Sequence, residues 1–372
     1  MRARELGIVI GRLAPGRHDA ITDVAGVRVG HTTLIHGSGP LVVGQGPVRT
    51  GVTVVMPHDG DPWRDAVYAG SHRLNGNGEL TGLEWIRESG MLTSPIALTN
   101  THSVGVVRDA IIAAEIRDRG ASSGAYWALP VVGETYDGQL NDINGLHVKP
   151  EHVFAAMADA RSGAVAEGNV GGGTGMICHE FKGGIGTASR VLGEDAGGFT
   201  VGVLVQANYG WRERLSIDGV PVGREIPTTE IASAWDEPKA TGAGSIIGIV
   251  ATDAPLLPHQ CERLAQRAAL GVARVGGAGE NSSGDLFLAF ATGNQPMPAA
   301  DVDDPQPLTR DVRTLVDGHI TPLFWAVIEA TEEAILNAML AAETMVGRDG
   351  NTAHALPHDR LREVMGRYRP SR

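Results

Sequence analysis

Lysine is nearly missing from this chain: it stands at Lys149, Lys182 and Lys239 alone among 372 residues, and arginine carries the rest of the positive charge. Acidic side chains outnumber basic ones by 43 to 31, a formal net charge of −12. Bulk electrostatics therefore argue against nucleic acid and anionic membrane surfaces as partners. Cysteine is as scarce. Cys178 and Cys261 are too few and too far apart for a disulfide framework or a zinc knuckle. No stretch approaches the ~20 apolar residues of a membrane span, and the start, Met1 to Gly7, has no apolar core of a secretory signal. The expectation is a cytoplasmic protein.

What is abundant is glycine, 51 residues, about twice average usage. It follows no Gly-X-Y period, so tight turns and close backbone approaches are its expected use. Apolar alternation predicts strands at 21–24, 27–34 and 51–57, and apolar runs predict further strands at 94–101, 130–135, 199–208 and 285–292. Helices are expected near 83–86, 106–118 and 152–160. Another is expected at 258–275, where Cys261, Leu264, Ala268 and Val272 step by three or four behind Pro258. A polar loop region is expected over 213–244, a long helical region over 312–345, and a polar tail to Arg372. No internal repeat appears. Strands and helices alternate throughout, which predicts one layered α/β body over 1–372.

The stretch from Glu237 to Asp253 organises the reading. Its first half, Glu237-Pro238-Lys239-Ala240-Thr241-Gly242-Ala243-Gly244, favours an exposed segment without regular structure. Its second half, Ser245-Ile246-Ile247-Gly248-Ile249-Val250, reads as a buried strand. A serine at such a seam is placed for self-cleavage at Gly244–Ser245. A serine hydroxyl is a weak nucleophile until a base takes its proton. At a new N-terminus its own α-amine, with an unperturbed pKa of about 7.7–8.0, serves as that base. Before cleavage the same hydroxyl can attack the Gly244 carbonyl, where the missing Cβ eases the strained geometry. A plain loop-to-strand junction has the same composition.

Other constellations weigh differently. Gly168–Gly175 has neither the Lys-Ser/Thr of a P-loop nor the dinucleotide spacing, and reads as close backbone packing. Cys178-His179-Glu180, if on one strand, cannot all face one ion. Thr101-His102-Ser103-Val104-Gly105 nearly matches a nucleophile elbow, which makes Ser103 the alternative nucleophile of a conventional serine hydrolase. Ser283 and Asp285 open a strand, Glu134 stands at a strand tip and Asn208 at a strand end; each is ordinary turn or surface chemistry when taken singly.

Read in order, these blocks are not independent. Asp19-Ala20-Ile21-Thr22-Asp23-Val24-Ala25-Gly26-Val27, Gly46-Pro47-Val48-Arg49-Thr50-Gly51-Val52-Thr53, Leu74-Asn75-Gly76-Asn77-Gly78-Glu79, Thr99-Asn100-Thr101, Leu140-Asn141-Asp142-Ile143, Val203-Leu204-Val205-Gln206-Ala207-Asn208 and Gly242-Ala243-Gly244-Ser245-Ile246-Ile247 together resemble the self-processing serine aminopeptidases. That family includes L-aminopeptidase/D-Ala-esterase/amidase and the β-peptidyl aminopeptidases. The resemblance implies a four-layer αββα sandwich, differently connected from the N-terminal-nucleophile hydrolases. It implies cleavage into an α chain, 1–244, and a β chain, 245–372, with Ser245 as nucleophile. It further implies that Ser283 and Asp285 assist by hydrogen bonding, that Asn208 helps hold the oxyanion, and that Glu134 receives the substrate's ammonium. Relatives often have Glu where this chain has Asp285, and some have Tyr where Gln139 stands. No metal or cofactor is implied. The substrates would be small peptides, amides or esters, including β- or D-amino acid types, and the assembly a homotetramer of processed protomers. A non-catalytic relative binding an amino-group ligand in the same pocket is the reading from another class.

Overall fold

The computed structural model describes residues 1–119, 127–235, 244–298 and 308–368. In chain order its elements are β1 (Arg28–His36), β2 (Val48–Met56), β3 (Val67–Arg73), α1 (Leu83–Ser89), β4 (Met91–Leu92), β5 (Ile96–Asn100), α2 (Val104–Arg119) and β6 (Val131–Thr135). Next come α3 (Pro150–Asp159), the short hairpin β7 (Ile177–Cys178) and β8 (Phe181–Lys182), β9 (Gly184–Val191), β10 (Thr200–Asn208) and α4 (Val222–Glu225). The remainder is β11 (Gly244–Thr252), α5 (Pro258–Val275), β12 (Ser283–Ala291), α6 (Thr321–Leu340), β13 (Met345–Val346), β14 (Thr352–Ala353) and α7 (His358–Tyr368).

Two sheets carry the body. One has the order β1-β2-β5-β6, the other β4-β3-β12-β11-β10-β9. The pairs β5/β6 and β11/β12 are parallel, and the other pairs within these two sheets are antiparallel. Side-chain alternation along β11 shows why its sequence is apolar without a break. Ile247, Ile249 and Ala251 join Leu98, Val131, Leu288 and Phe290 between the sheets. Ile246 and Val250 face the other way, into the layer shared with Leu264 and Ala268 of α5 and Ala334 and Ala338 of α6. On the far side of the first sheet, Val52, Val54 and Ala97 pack with Val107 and Ile111 of α2 and Val153 of α3. Three apolar layers between four layers of elements make an αββα sandwich.

Several expectations are corrected. The strand expected at 21–24 is a 3-10 turn, Ile21–Asp23, because the Asp23 carboxylate gathers the N–H groups of His18 and Ala20 and the Ser189 hydroxyl. Strands β3 and β9 lack a strand signal in the sequence because glycine interrupts them. Gly70 lies against α5 and Gly186 against α6, where an added Cβ would come within 2.3 Å of Glu262 N and 2.0 Å of Ala334 O. The long helix begins at Thr321 and ends at Leu340, not over 312–345. Residues 358–368, expected as polar tail, form α7, with Leu361, Val364 and Met365 buried. Residues 236–243, most of the segment expected to be exposed, lie outside the described residues.

α6 buries charge as well as apolar surface. Arg190, with no exposed surface, pairs with Glu329 at 3.2 Å and Glu333 at 2.6 Å. Glu329 also accepts the N–H groups of Arg12 and Leu13, and Arg4 reaches Glu333. The N-terminal segment is thereby fixed to α6. Removing one partner of a buried ion pair leaves uncompensated charge, at a cost of about 3–5 kcal/mol. Arg190→Ala is therefore expected to lose about that much stability, read as a lower denaturant midpoint at unchanged m-value.

Candidate active site

The register of three strands gathers the site. Antiparallel β10/β11 sets Asn208 opposite Ser245. Parallel β11/β12 sets Gly244 opposite Ser283, Ser245 opposite Gly284 and Ile246 opposite Asp285. β11 starts where β10 ends, so these residues share one end of the sheet. Ser283 and Asp285, two apart on a strand, lie on one face.

Ser245 is 5% exposed. Its Oγ donates to the Gly244 carbonyl oxygen at 2.7 Å and accepts the Gly284 N–H at 3.2 Å. The hydroxyl thus sits beside the carbonyl it would attack. The Ser283 hydroxyl donates to Asp285 Oδ1 at 2.6 Å, so the shorter acid reaches its partner. Asp285 Oδ2 accepts Asn75 Nδ2 at 3.1 Å, and the Asp285 N–H donates to Asn75 Oδ1. Burial raises the Asp285 carboxyl pKa, while hydrogen bonds from Ser283, Asn75 and the Ile246 backbone pull it back.

Asn208 is oriented by two backbone groups. Its Oδ1 accepts the Ile177 N–H at 2.8 Å, and its Nδ2 donates to the Tyr136 carbonyl at 2.9 Å. A donor at one atom and an acceptor at the other fix the amide's orientation. Only one of the two Nδ2 hydrogens is used by Tyr136.

Glu134, at the tip of β6, is 4% exposed. Its Oε1 accepts the Glu79 N–H at 3.0 Å and its Oε2 the Thr101 hydroxyl. Burial raises its pKa above the usual 4.5, and these two hydrogen bonds oppose the rise. The segment 75–79 stitches Glu134 to the serine cluster. Asn77 holds the backbone of Ser282 and Ser283. Gly78 lies on Gly284 so closely that a Cβ on Gly284 would come within 2.5 Å of Gly78 Cα, and one on Gly78 within 3.2 Å of Glu134 Oε1.

Ser245, Ser283, Asp285, Asn208 and Glu134 are thus brought together at one end of the sandwich. Ser103 sits elsewhere in its chemistry: it is buried in the 3-10 turn before α2, and among the described residues no hydrogen bond joins its hydroxyl to a histidine or a carboxylate. Gln139 turns to the Ala234 carbonyl, 2.6 Å away. Cys178 ends β7; His179 and Glu180 form the β7/β8 turn with positive φ, and Glu180 accepts the Arg212 N–H. Among the described residues no group of three or more His, Cys, Asp and Glu could hold a metal ion, and no helix is long and apolar enough to cross a membrane. Gly171–Gly173 is a buried 3-10 turn. Sequence reading passed over Asn75, Thr101 and the Gly284 N–H. Two asparagines within one glycine turn were the signal available for Asn75; a backbone N–H leaves none.

The description "Peptidase family S58" matches residues 19–353. A β-peptidyl aminopeptidase of Sphingosinicella microcystinivorans is 51% identical, over 99% of this chain and 92% of its own. Among solved structures, a Burkholderia sp. β-aminopeptidase superposes with a TM-score of 0.92 at 55% identity over the whole of both chains. The L-aminopeptidase D-Ala-esterase/amidase of Ochrobactrum anthropi, described as a variant of the Ntn hydrolase fold, superposes with a TM-score of 0.87 at 44% identity, covering 99% of this chain and 98% of its own. With fold, site and likeness spanning nearly its full length, this chain belongs to peptidase family S58.

Proposed function

We propose that this protein is a self-activating serine aminopeptidase that removes N-terminal residues, β-amino acids among them, from small peptides, amides and esters. The observation that carries the reading is the position of Ser245 Oγ, 2.7 Å from the Gly244 carbonyl oxygen at the start of β11. Attack forms the Oγ–C bond and breaks the Gly244–Ser245 C–N bond. The hydroxyl proton passes to the departing nitrogen, leaving an ester and a free α-amine. Water then hydrolyses the ester, and chains 1–244 and 245–372 result.

In turnover the neutral α-amine takes the Oγ proton as Oγ attacks the substrate carbonyl. The free Nδ2 hydrogen of Asn208 is the donor available to the tetrahedral oxyanion, while the Gly284 N–H holds Ser245 Oγ. Ser283, held by Asp285, assists the Ser245 hydroxyl. The leaving amine takes the proton, and water later releases the acyl group. Glu134 registers the substrate's ammonium by a charge-assisted hydrogen bond. The names carried by the relatives support the β-amino acid preference. Assembly as a cytoplasmic tetramer of processed protomers belongs to the same proposal and is read by sedimentation.

Intact mass of purified, active protein is expected to show two polypeptides, the smaller beginning Ser245-Ile246-Ile247. Kinetics on paired substrates, a β-alanyl and an α-alanyl p-nitroanilide, should favour the β-linked one. A single unbroken chain in active material would overturn the reading.

A further inference from the structure

Asn208, the proposed oxyanion donor, is a side-chain amide, so its acidity is set by what its own carbonyl meets. Asn208 Oδ1 accepts the Ile177 N–H at 2.8 Å. That N–H belongs to the peptide group whose carbonyl is Met176 O. Met176 O accepts hydrogen bonds from Lys182 Nζ at 2.8 Å and from the Gly183 N–H at 2.9 Å. The other contacts of Lys182 Nζ are the carbonyls of Gly183 at 2.9 Å and Gly173 at 3.3 Å. Lys182 has no exposed surface, and among the described residues no carboxylate pairs with it. An apolar side chain would fill this space without the cost of burying a charge. Burial lowers the Lys182 pKa from 10.5 to about 7; what its protonated form adds is a positive field at the far end of a two-amide chain.

We infer that Lys182 is a positioning residue for the oxyanion site, polarising Asn208 through the Met176–Ile177 peptide group. A cation on a carbonyl oxygen withdraws electron density from the attached nitrogen and makes its N–H a stronger donor. The Ile177 N–H does the same to the Asn208 amide, whose remaining Nδ2 hydrogen becomes the better donor. Hydrogen bonds in series strengthen one another in this way, and the effect grows in a low-dielectric interior. The chain also fixes Asn208 in place, since the β7/β8 hairpin that carries Ile177 is closed by Lys182 itself. The inference rests on the proposed role of Asn208.

The test is Lys182→Met, in material confirmed by mass to be fully processed, with Lys182→Gln as the second variant that keeps a donor and removes the charge. For either, kcat is expected to fall about three- to tenfold with KM unchanged. That is small beside the roughly 10²–10³ expected for losing an oxyanion donor outright. A β-aminoaldehyde, which forms a tetrahedral adduct on the serine, should bind more weakly by the same factor as kcat. Inhibition by free β-alanine should not change. In an Asn208→Ala background the Lys182 substitution should have no further effect, as expected for groups acting through one another. Equal losses for aldehyde and product, an undiminished kcat, or fully additive losses in the double variant would overturn the inference. Asn208→Ala alone separates the two levels: unchanged kcat there rejects the role of Asn208 itself, whereas a reduced kcat beside undiminished Lys182 variants rejects only the relay.

Discussion

Ser245→Ala is expected to give a single chain of 372 residues with no measurable turnover. One substitution removes the group that cuts the Gly244–Ser245 bond and, with the bond intact, the α-amine that would act as base. Removing the nucleophile of a serine hydrolase costs roughly 10⁶ in kcat; here the base is lost with it. The fold should persist, because position 245 pairs with Asn208 and Gly284 through backbone register, and Ile246 to Ala251 anchor the strand in two apolar layers. The Gly284 N–H loses its Oγ partner, a cost of about 1–3 kcal/mol for a buried donor. Denaturing electrophoresis and intact mass read the processing, circular dichroism the fold. Two fragments persisting in Ser245→Ala would place the scissile chemistry elsewhere. Ser103→Ala is the matched control: cleavage and turnover are expected at full level, and their loss would favour the elbow serine.

How much of this was legible in the sequence depends on how each element is held. β10, β11 and β12 are buried on both faces, so their composition alone marks them, and α5 shows its period because one side meets the sheet and the other meets water. β3 and β9 carry glycine where helices press close, which hides the strand signal behind turn composition. α7 is mostly polar and buries only Leu361, Val364 and Met365, too thin a stripe to stand out. Ser245 stands out at its loop-to-strand seam, whereas the roles of Ser283, Asp285, Asn208 and Glu134 come through resemblance to a family; nothing in their spacing, from Glu134 to Asp285, says that they meet. That meeting is a consequence of strand register, which a sequence does not display. The reach of Asp285 is a matter of the same kind. A shorter acid suffices because Asn75, from a loop more than two hundred residues away, holds its second oxygen while Ser283 takes the first.

Glu134→Gln is expected to lower kcat/KM by about 10²–10³ while leaving the protein at least as stable. Truncating one side of a buried, hydrogen-bonded charge pair costs about 2–5 kcal/mol, and the substrate's ammonium would meet a neutral amide. The amide keeps both existing bonds: its Oε1 accepts the Glu79 N–H, and its nitrogen donates to the Thr101 hydroxyl, which reverses its role. Burial raises the Glu134 pKa above 4.5, so between the unfolded value and the raised one the folded protein holds more protons than the unfolded chain. Stability attributable to this group is full below the unfolded value. It declines as pH rises through that window and stays reduced at neutral pH. Exchanging the carboxylate for an amide removes that loss. Activity runs the other way. The ionised form recognises the ammonium, so wild-type kcat/KM, already falling with protonation of the Ser245 α-amine, should fall more steeply as pH drops through the raised pKa of Glu134, a second limb that Glu134→Gln lacks. Thermal melts at pH 7 and kcat/KM profiles from pH 4 to 8 measure both quantities. An N-acetylated substrate tests the same contact: the wild type should reject it, and the variant should lose most of its preference for the free amine. Wild-type kcat/KM in Glu134→Gln, or a loss that merely follows a fall in melting temperature, would show that the carboxylate supports the fold and does not read the amino end.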